Sequence, residues 1–489
     1  MQQQHSEAGL RRELKARHLS MIAIGGSIGT GLFLASGATV ATAGPGTALL
    51  AYGVIGLMVY FLMTSLGEMA AYLPVSGSFQ VYGSRFVDPA FGFALGWNYW
   101  FSWAVTVAVE LAAAAIIMAY WFPAVPGLIW SALFLGIVFL FNYISVKGFG
   151  ESEYWFSLLK VITIIAFIVT GTLMIFGIMS GSHPAQFTPG LQVFETGDAP
   201  FVGGIPAFIS AAMVVGFSFM GTELIGVAAG ESADPATTIP RAVKQVFWRI
   251  LMFYVLAILI IGLILPYNDP SMLKTGMEDV GASPFTLVFK RAGFALAAGV
   301  MNAVILTAIL SAGNSGLYAS TRMLHNMALH GMAPRALARL SPGGVPRRAL
   351  LATTAVASLC FLTSLVDEKG VYLWLLNASG MTGFIAWLGI AVCHVRFRRA
   401  YLHQGGDLQA LPYRARLFPL GPLLAFGICL VVMLGQNFAA FTGSGVDWVG
   451  VVATYIGIPL FLLLWLGYKL RHRSRVVALH EVDLVTGRV

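Results

Sequence analysis

Four ionisable side chains stand where water is not expected. Glu110, Lys160 and Glu223 lie well inside long apolar runs, and Glu68 lies near the end of another. A charge facing lipid at mid-bilayer costs on the order of 3 kcal/mol on insertion scales. Such groups face the protein interior, pair with one another, or exchange protons. Lys160 either places its ammonium against freed backbone carbonyls, loading and releasing a proton, or forms a structural ion pair with Glu223 or Glu110. Glu223 either holds the amine side of a substrate or relays a proton, or it clamps the chain around it. Glu110 either faces a cavity and attracts a cationic side chain, or packs against hydroxyls.

Two stretches could supply freed backbone. Residues 21–34 are apolar yet hold four glycines, Gly25, Gly26, Gly29 and Gly31, within seven positions. Without a Cβ the chain there can leave helical geometry and let a ligand approach its backbone. In lipid, unwound backbone survives only where protein or a polar cavity satisfies it. The N–H groups that open the second half-helix suit an anion such as a carboxylate. Gly26, Ser27, Ile28, Gly29, Thr30 and Gly31 are thus candidate ligand contacts. The plainer alternative is a helix-packing face spaced Gly25–Gly29. The second stretch, 216–223, interrupts another apolar run with Gly216, Ser218, Gly221, Thr222 and Glu223. Phe217, Ser218 and Phe219 fall at that break.

Aromatic residues flank these groups. Trp97, Tyr99, Trp100, Phe101 and Trp103 open one apolar run, where such residues usually anchor at the membrane interface. Tyr99 and Trp103 are four apart and share a helical face with Glu110. They could form the wall of a site for a long cationic side chain, through apolar and cation–π contact. The segment Ser311-Ala-Gly-Asn-Ser315 places Asn314 at depth, as a cavity wall or as close helix packing.

The elements that must hold these groups are membrane helices. The chain has 489 residues, of which 58% are hydrophobic and 10% charged. A soluble domain carries about 25% charge. Apolar segments fall near 20–41, 48–71, 93–121, 126–146, 155–180, 204–229, 247–266, 292–320, 350–366, 371–395, 417–435 and 448–469, which predicts an all-α integral membrane fold of about twelve spans. Of the 29 Lys and Arg, Lys160 lies within a span and Lys274, Lys290, Arg291 and Lys369 lie in odd-numbered loops; the other 24 occupy the tails and even-numbered loops. That bias places both termini in the cytoplasm. Residues 1–19 read as a cytoplasmic arm with no cleavable signal peptide, 20–470 as the membrane domain, and 471–489 as a cytoplasmic tail. The breaks hold the same place in two successive sets of five spans, about 20–180 and 204–395. Interrupted helices at matching positions of two halves point to a five-plus-five inverted repeat with helices one and six broken, and to a secondary transporter. The eleventh and twelfth helices, about 417–469, fall outside the repeat.

These residues also carry a family likeness over nearly the whole chain. Leu14-Lys-Ala-Arg-His18 before Ile24-Gly-Gly-Ser-Ile-Gly-Thr-Gly31, Gly67-Glu-Met-Ala70, Pro74-Val-Ser-Gly-Ser78, Gly221-Thr-Glu223, Ala229-Gly-Glu231 and Ile239-Pro-Arg241 resemble bacterial amino acid permeases of the amino acid–polyamine–organocation superfamily. Within that family, the stretches 91–100, 142–150 and 372–377 are most similar to permeases for lysine. The resemblance implies proton-coupled import of L-lysine across the cell inner membrane. It implies that Ser27 to Gly31 bind the α-carboxylate through N–H groups. It implies that Phe217 offers a carbonyl to the α-amine and its ring as a gate. It marks Tyr99, Trp103, Lys160, Glu223 and Glu231 as positions that matter, with Glu231 in an inner gate beside the following basic loop. Met220, apolar inside the second break, leaves the reader of the ε-ammonium open.

Other classes fit less well. No GxxxxGK[ST] phosphate loop is present for a pump. No HExxH or Ser–His arrangement supports an intramembrane enzyme, and neither a metal nor another cofactor is expected beyond the coupling proton. The +8 net charge follows membrane topology and does not imply nucleic acid. Cys360, Cys393 and Cys429 read as packing residues. The expected partners are L-lysine and the lipid bilayer. An exchanger, a permease for arginine, ornithine, histidine or an aromatic amino acid, and a lysine sensor with little flux remain as alternatives.

Overall fold

The computed structural model describes residues 14–25, 28–144, 146–179, 189–273, 283–294, 296–365, 368–437, 439–442, 446 and 448–487. Among the described residues the fold is all-helical, with one isolated backbone bridge between Leu14 and Ser232. Eight helices are long and apolar enough to cross a membrane. They match the second to eighth and the tenth predicted spans. The first, ninth, eleventh and twelfth occur as shorter or interrupted helices.

Local sequence sets the starts. Proline opens the second span (Pro45–Tyr72), the third (Pro89–Met118) and the seventh (from Pro235). Its missing N–H falls among donors that a helix leaves unbonded there. Asp88 caps the third span by accepting from Ala90 N at 2.9 Å, and Asp234 caps the seventh at Thr237 N. The third span forms the core: its apolar window is 89% buried, against 28% for the fourth span, Gly127–Ile144. It packs against the eighth span (Ala297–Leu329) and the tenth (Glu368–His403). The three cysteines are buried, and none is in a disulfide.

Both expected breaks are present. The first span runs Ala16–Gly25, then resumes as a π-helical turn, Gly31–Ala35, leading into Ser36–Ala43. The sixth runs Gly204–Phe219, opens, and resumes at Leu224–Ala228. The second half of the first span packs against the first half of the sixth, and the first half of the first against the second half of the sixth. Oppositely directed helices broken at matching levels make that pairing, as an inverted repeat requires.

Several charges placed by sequence in loops are instead buried in helices. Arg249 lies in the continuous seventh span, Pro235–Ile264, and Arg322 in the eighth. Arg398 and His394 lie in the tenth. The apolar segments begin or end within a few residues of these charges, whereas the helices continue and turn these side chains inward. Arg398 Nε donates to Glu68 Oε1 at 2.7 Å and its Nη2 donates to Oε2. His394 Nε2 lies 3.2 Å from the same carboxylate.

The segments beyond the two membrane ends are also docked. Leu14 N donates to Glu231 O, and Ala233 N to Leu14 O, each at 3.2 Å. At the other end Lys469 and Ser474 bond to Asp88, Gln404 donates to Leu479 O and Val482 O, and Val482 and Leu484 are buried.

Removing one partner of a buried ion pair costs about 3–5 kcal/mol. Arg398→Ala is therefore expected to lower the thermal unfolding midpoint of the purified protein in detergent by several degrees. An unchanged midpoint would remove the pair from the scaffold.

Candidate functional site

The two breaks meet the third span at one point. Gly31 passes so close to the sixth span that a Cβ there would stand 2.5 Å from Ser218 Cα. Glycine is therefore required at this crossing. A Cβ on Gly29 would meet Glu110 Oε1 at 3.2 Å and Ala312 Cβ at 3.3 Å. Thr30 Oγ1 donates to Glu110 Oε1 at 3.2 Å, while Glu110 Oε2 has no hydrogen-bond partner among the described residues. Gly29, Gly31, Trp103, Glu110, Phe217 and Met220 line a cavity of about 20 Å³, room for roughly one water. The site is closed around its own side chains, so a larger ligand requires the walls to separate.

The second break is closed by its own acid. Met220 is extended and Gly221 takes φ +98°, a conformation that favours glycine. Both Glu223 oxygens accept from Gly221 N, at 3.3 and 3.1 Å. Tyr99 OH donates to Oε1 at 3.3 Å, and Trp387 Nε1 donates to Oε2 at 3.2 Å. Glu223 thereby joins the third, sixth and tenth spans and satisfies backbone freed by the break. This is the clamp arrangement that the sequence left open as one of its alternatives.

An amino acid permease family match covers residues 18–481, nearly the whole chain and both breaks. The chain belongs to the amino acid permease family. It is 66% identical to the lysine-specific permease LysP of Escherichia coli (strain K12), over 97% of this chain and 96% of that one. It is 52% identical to the lysine-specific permease LysP of Lactococcus lactis subsp. cremoris (strain MG1363), over 98% and 94%. It is 49% identical to the histidine permease HisP of the same strain, over 97% and 98%. Membership makes it a transporter rather than an enzyme.

The permease brings some of the expected residues together and separates others. Gly29, Gly31, Trp103, Glu110 and Phe217 share the cavity, with Thr30 bonded to Glu110. Tyr99 lies behind Trp103, ring centroids 6.3 Å apart, and reaches Glu223. Ile28 is buried. Gly26 and Ser27 fall outside the described residues. Ser218 stays at the Gly31 crossing without lining the cavity, its carbonyl accepting from Tyr254 OH at 3.0 Å, while Phe219 turns away and stacks on Tyr254 at 4.2 Å. Asn314 bonds Asn142 at 2.9 Å and Ser152 at 3.3 Å, facing the fourth and fifth spans. Ala312 lines the cavity instead, and two positions on is about 200° round a helix.

Lys160 is buried, and the charges acting on it include those of Glu153, Glu110 and Arg249. Glu231 pairs with Arg322, Nε to Oε1 at 3.0 Å, and Arg322 lies 4.2 Å over the Tyr318 ring. Its partner thus comes from the eighth span, in place of the expected basic loop. Sequence reading missed Trp387, Glu153 and Arg322. Trp387 had one available signal, a tryptophan at mid-span rather than at an end.

Glu223 without Trp387 loses one hydrogen bond to a carboxylate, worth about 1.5–3 kcal/mol. Trp387→Phe is expected to lower the unfolding midpoint while Trp100→Phe, which loses only a hydrogen bond to the neutral Thr353 hydroxyl, changes it less. Equal midpoints would remove Trp387 from the clamp.

Proposed function

We propose that this permease imports L-lysine across the cytoplasmic membrane by alternating access, coupled to a proton. The observation that carries this reading is the free oxygen of Glu110 at a cavity between two helix breaks. An acidic wall there suits a cationic side chain, while the breaks suit the two charges of an amino acid backbone. The names of the 66% and 52% identical relatives support lysine.

In this reading the N–H groups from Ser27 to Gly31 take the α-carboxylate, and the Phe217 carbonyl takes the α-amine. Trp103 and Tyr99 wall the methylene stem, and Glu110 meets the ε-ammonium. Glu223 holds the second break in the shape that presents Phe217, and belongs to the coupling route with Lys160. Glu231 with Arg322 closes the inner side as a gate. Asn314 supports the site from the far face of the eighth span. The Lys and Arg bias supports cytoplasmic termini, with residues 1–19 and 471–489 flanking one membrane domain built of two repeats. The bilayer is the remaining partner.

Lysine carries a positive charge, so the membrane potential also drives it inward, by about 2.3 kcal/mol per 100 mV. A proton adds to that. Lys160 lies in the field of Glu110 and Glu153, which supports proton exchange between the cavity and the fifth span.

The second reading is a histidine permease, favoured by the 49% identical relative. Labelled L-lysine uptake into proteoliposomes under a proton gradient, a sodium gradient or a potential alone separates these. Proton-stimulated uptake, blocked by unlabelled lysine and not by histidine, is expected. Equal block by histidine moves the substrate. Uptake only with internal amino acid indicates an exchanger, and binding without uptake indicates a sensor.

Two variants test the roles. Glu110→Gln is expected to weaken lysine binding by about 10- to 100-fold in calorimetry, since a hydrogen bond to a charged group contributes about 1.5–3 kcal/mol; unchanged affinity would exclude it from the site. Lys160→Ala is expected to abolish the response to a pH gradient while potential-driven uptake persists. A folded variant with normal proton stimulation would sink the coupling role.

A further inference from the structure

A large concavity lies away from the breaks. It is a groove of about 890 Å³ between the second span, the start of the seventh, and the loop that leads to the eleventh. Three cations line it: Lys244, Arg414 and Arg416. All three are exposed, and no acidic residue is in the lining. Elsewhere on this face exposed arginines find partners, as Arg17 does with Glu151. Three like charges gathered round one concavity repel each other unless an anion joins them.

The loop holds two of these cations in fixed positions. Ala415 N donates to Glu68 Oε2 at 2.7 Å, and Ala415 O accepts from Arg398 Nη2 at 3.3 Å. The buried Glu68–Arg398 pair thereby pins Ala415 inward, and its neighbours Arg414 and Arg416 both face out. Tyr413 packs against the Gly67 position of the second span. The cations need little ordering on binding, which lowers the cost of association.

One side of the groove continues into apolar surface. One turn beyond Lys244, Phe247 is 43% and Trp248 61% exposed, and Leu417 and Leu420 are 54% and 55% exposed on the facing edge. In a membrane helix such side chains meet acyl chains, with tryptophan near the headgroup level. A basic pocket above an apolar track matches an amphiphile with an anionic head.

We propose that this groove binds the phosphate headgroup of an anionic phospholipid of the inner leaflet, with its acyl chains along Phe247, Trp248 and Leu417. The lipid joins the second and seventh spans to the loop before the eleventh. This is independent of which amino acid is carried; it relies only on the Lys and Arg bias for the side of the membrane.

The full chain, purified in detergent, is titrated with phosphatidylglycerol or phosphatidylcholine of the same acyl chains, and bound lipid is counted by native mass spectrometry. Wild-type protein is expected to prefer phosphatidylglycerol by at least about tenfold. Each neutralised cation is expected to weaken that lipid by about fivefold, so Lys244→Gln with Arg414→Gln and Arg416→Gln weakens it by roughly a hundredfold, leaving phosphatidylcholine unchanged. Arg414→Lys with Arg416→Lys is expected to retain most of the preference, and Arg335→Gln with Arg339→Gln all of it. No preference in the wild type, or full preference in the triple variant, overturns the proposal. Displacement of phosphatidylglycerol by millimolar inorganic phosphate also overturns it, by assigning the groove to a soluble anion.

Discussion

Hydrocarbon has no hydrogen bonds to offer, so a helix opened inside it must be closed by something else. In this permease the closing group for the sixth span is the Glu223 carboxylate, folded back on Gly221 N and held by Tyr99 and Trp387. A charge that would be expensive in lipid is spread over donors from three spans. The same contacts fix where the third and tenth spans lie relative to the break. The Gly31 crossing lies beside the same break, where a Cβ would stand 2.5 Å from Ser218 Cα.

From that junction the buried charges form a chain of local solutions. Glu110 takes Thr30 from the first span, Glu231 takes Arg322 from the eighth, and Glu68 takes Arg398 from the tenth. Each pair ties one of the broken or adjacent helices to the surrounding frame. Glu110 and Glu231 each keep one oxygen without a hydrogen bond among the described residues, and of the two it is Glu110 that faces the cavity.

Much of this was legible in the sequence, for a simple reason. Against an apolar background, glycine clusters and lone charges stand out, so both breaks and Glu110, Lys160 and Glu223 could be named from composition alone. Charges at the ends of apolar runs gave no such contrast. Arg249, Arg322 and Arg398 read as loop or span-edge residues because hydropathy falls at each, although the helices continue through them. Helix phase was also hidden. Phe219 lies two positions from Phe217 yet packs on Tyr254, Ser218 sits at the Gly31 crossing, and Asn314 faces away from the cavity that Ala312 lines. Trp387 went unnoticed because a tryptophan in an apolar span has no anomaly of hydropathy to announce its N–H.

The clasp between Leu14 and the chain after the sixth span has a mechanical consequence. Two backbone hydrogen bonds join the start of one broken helix to the chain that ends the other, and Leu14 and Leu19 pack with Ala228. Half-helices fastened in this way cannot tilt independently. A displacement of either one drags its fellow along, so the pair behaves as one rigid strut.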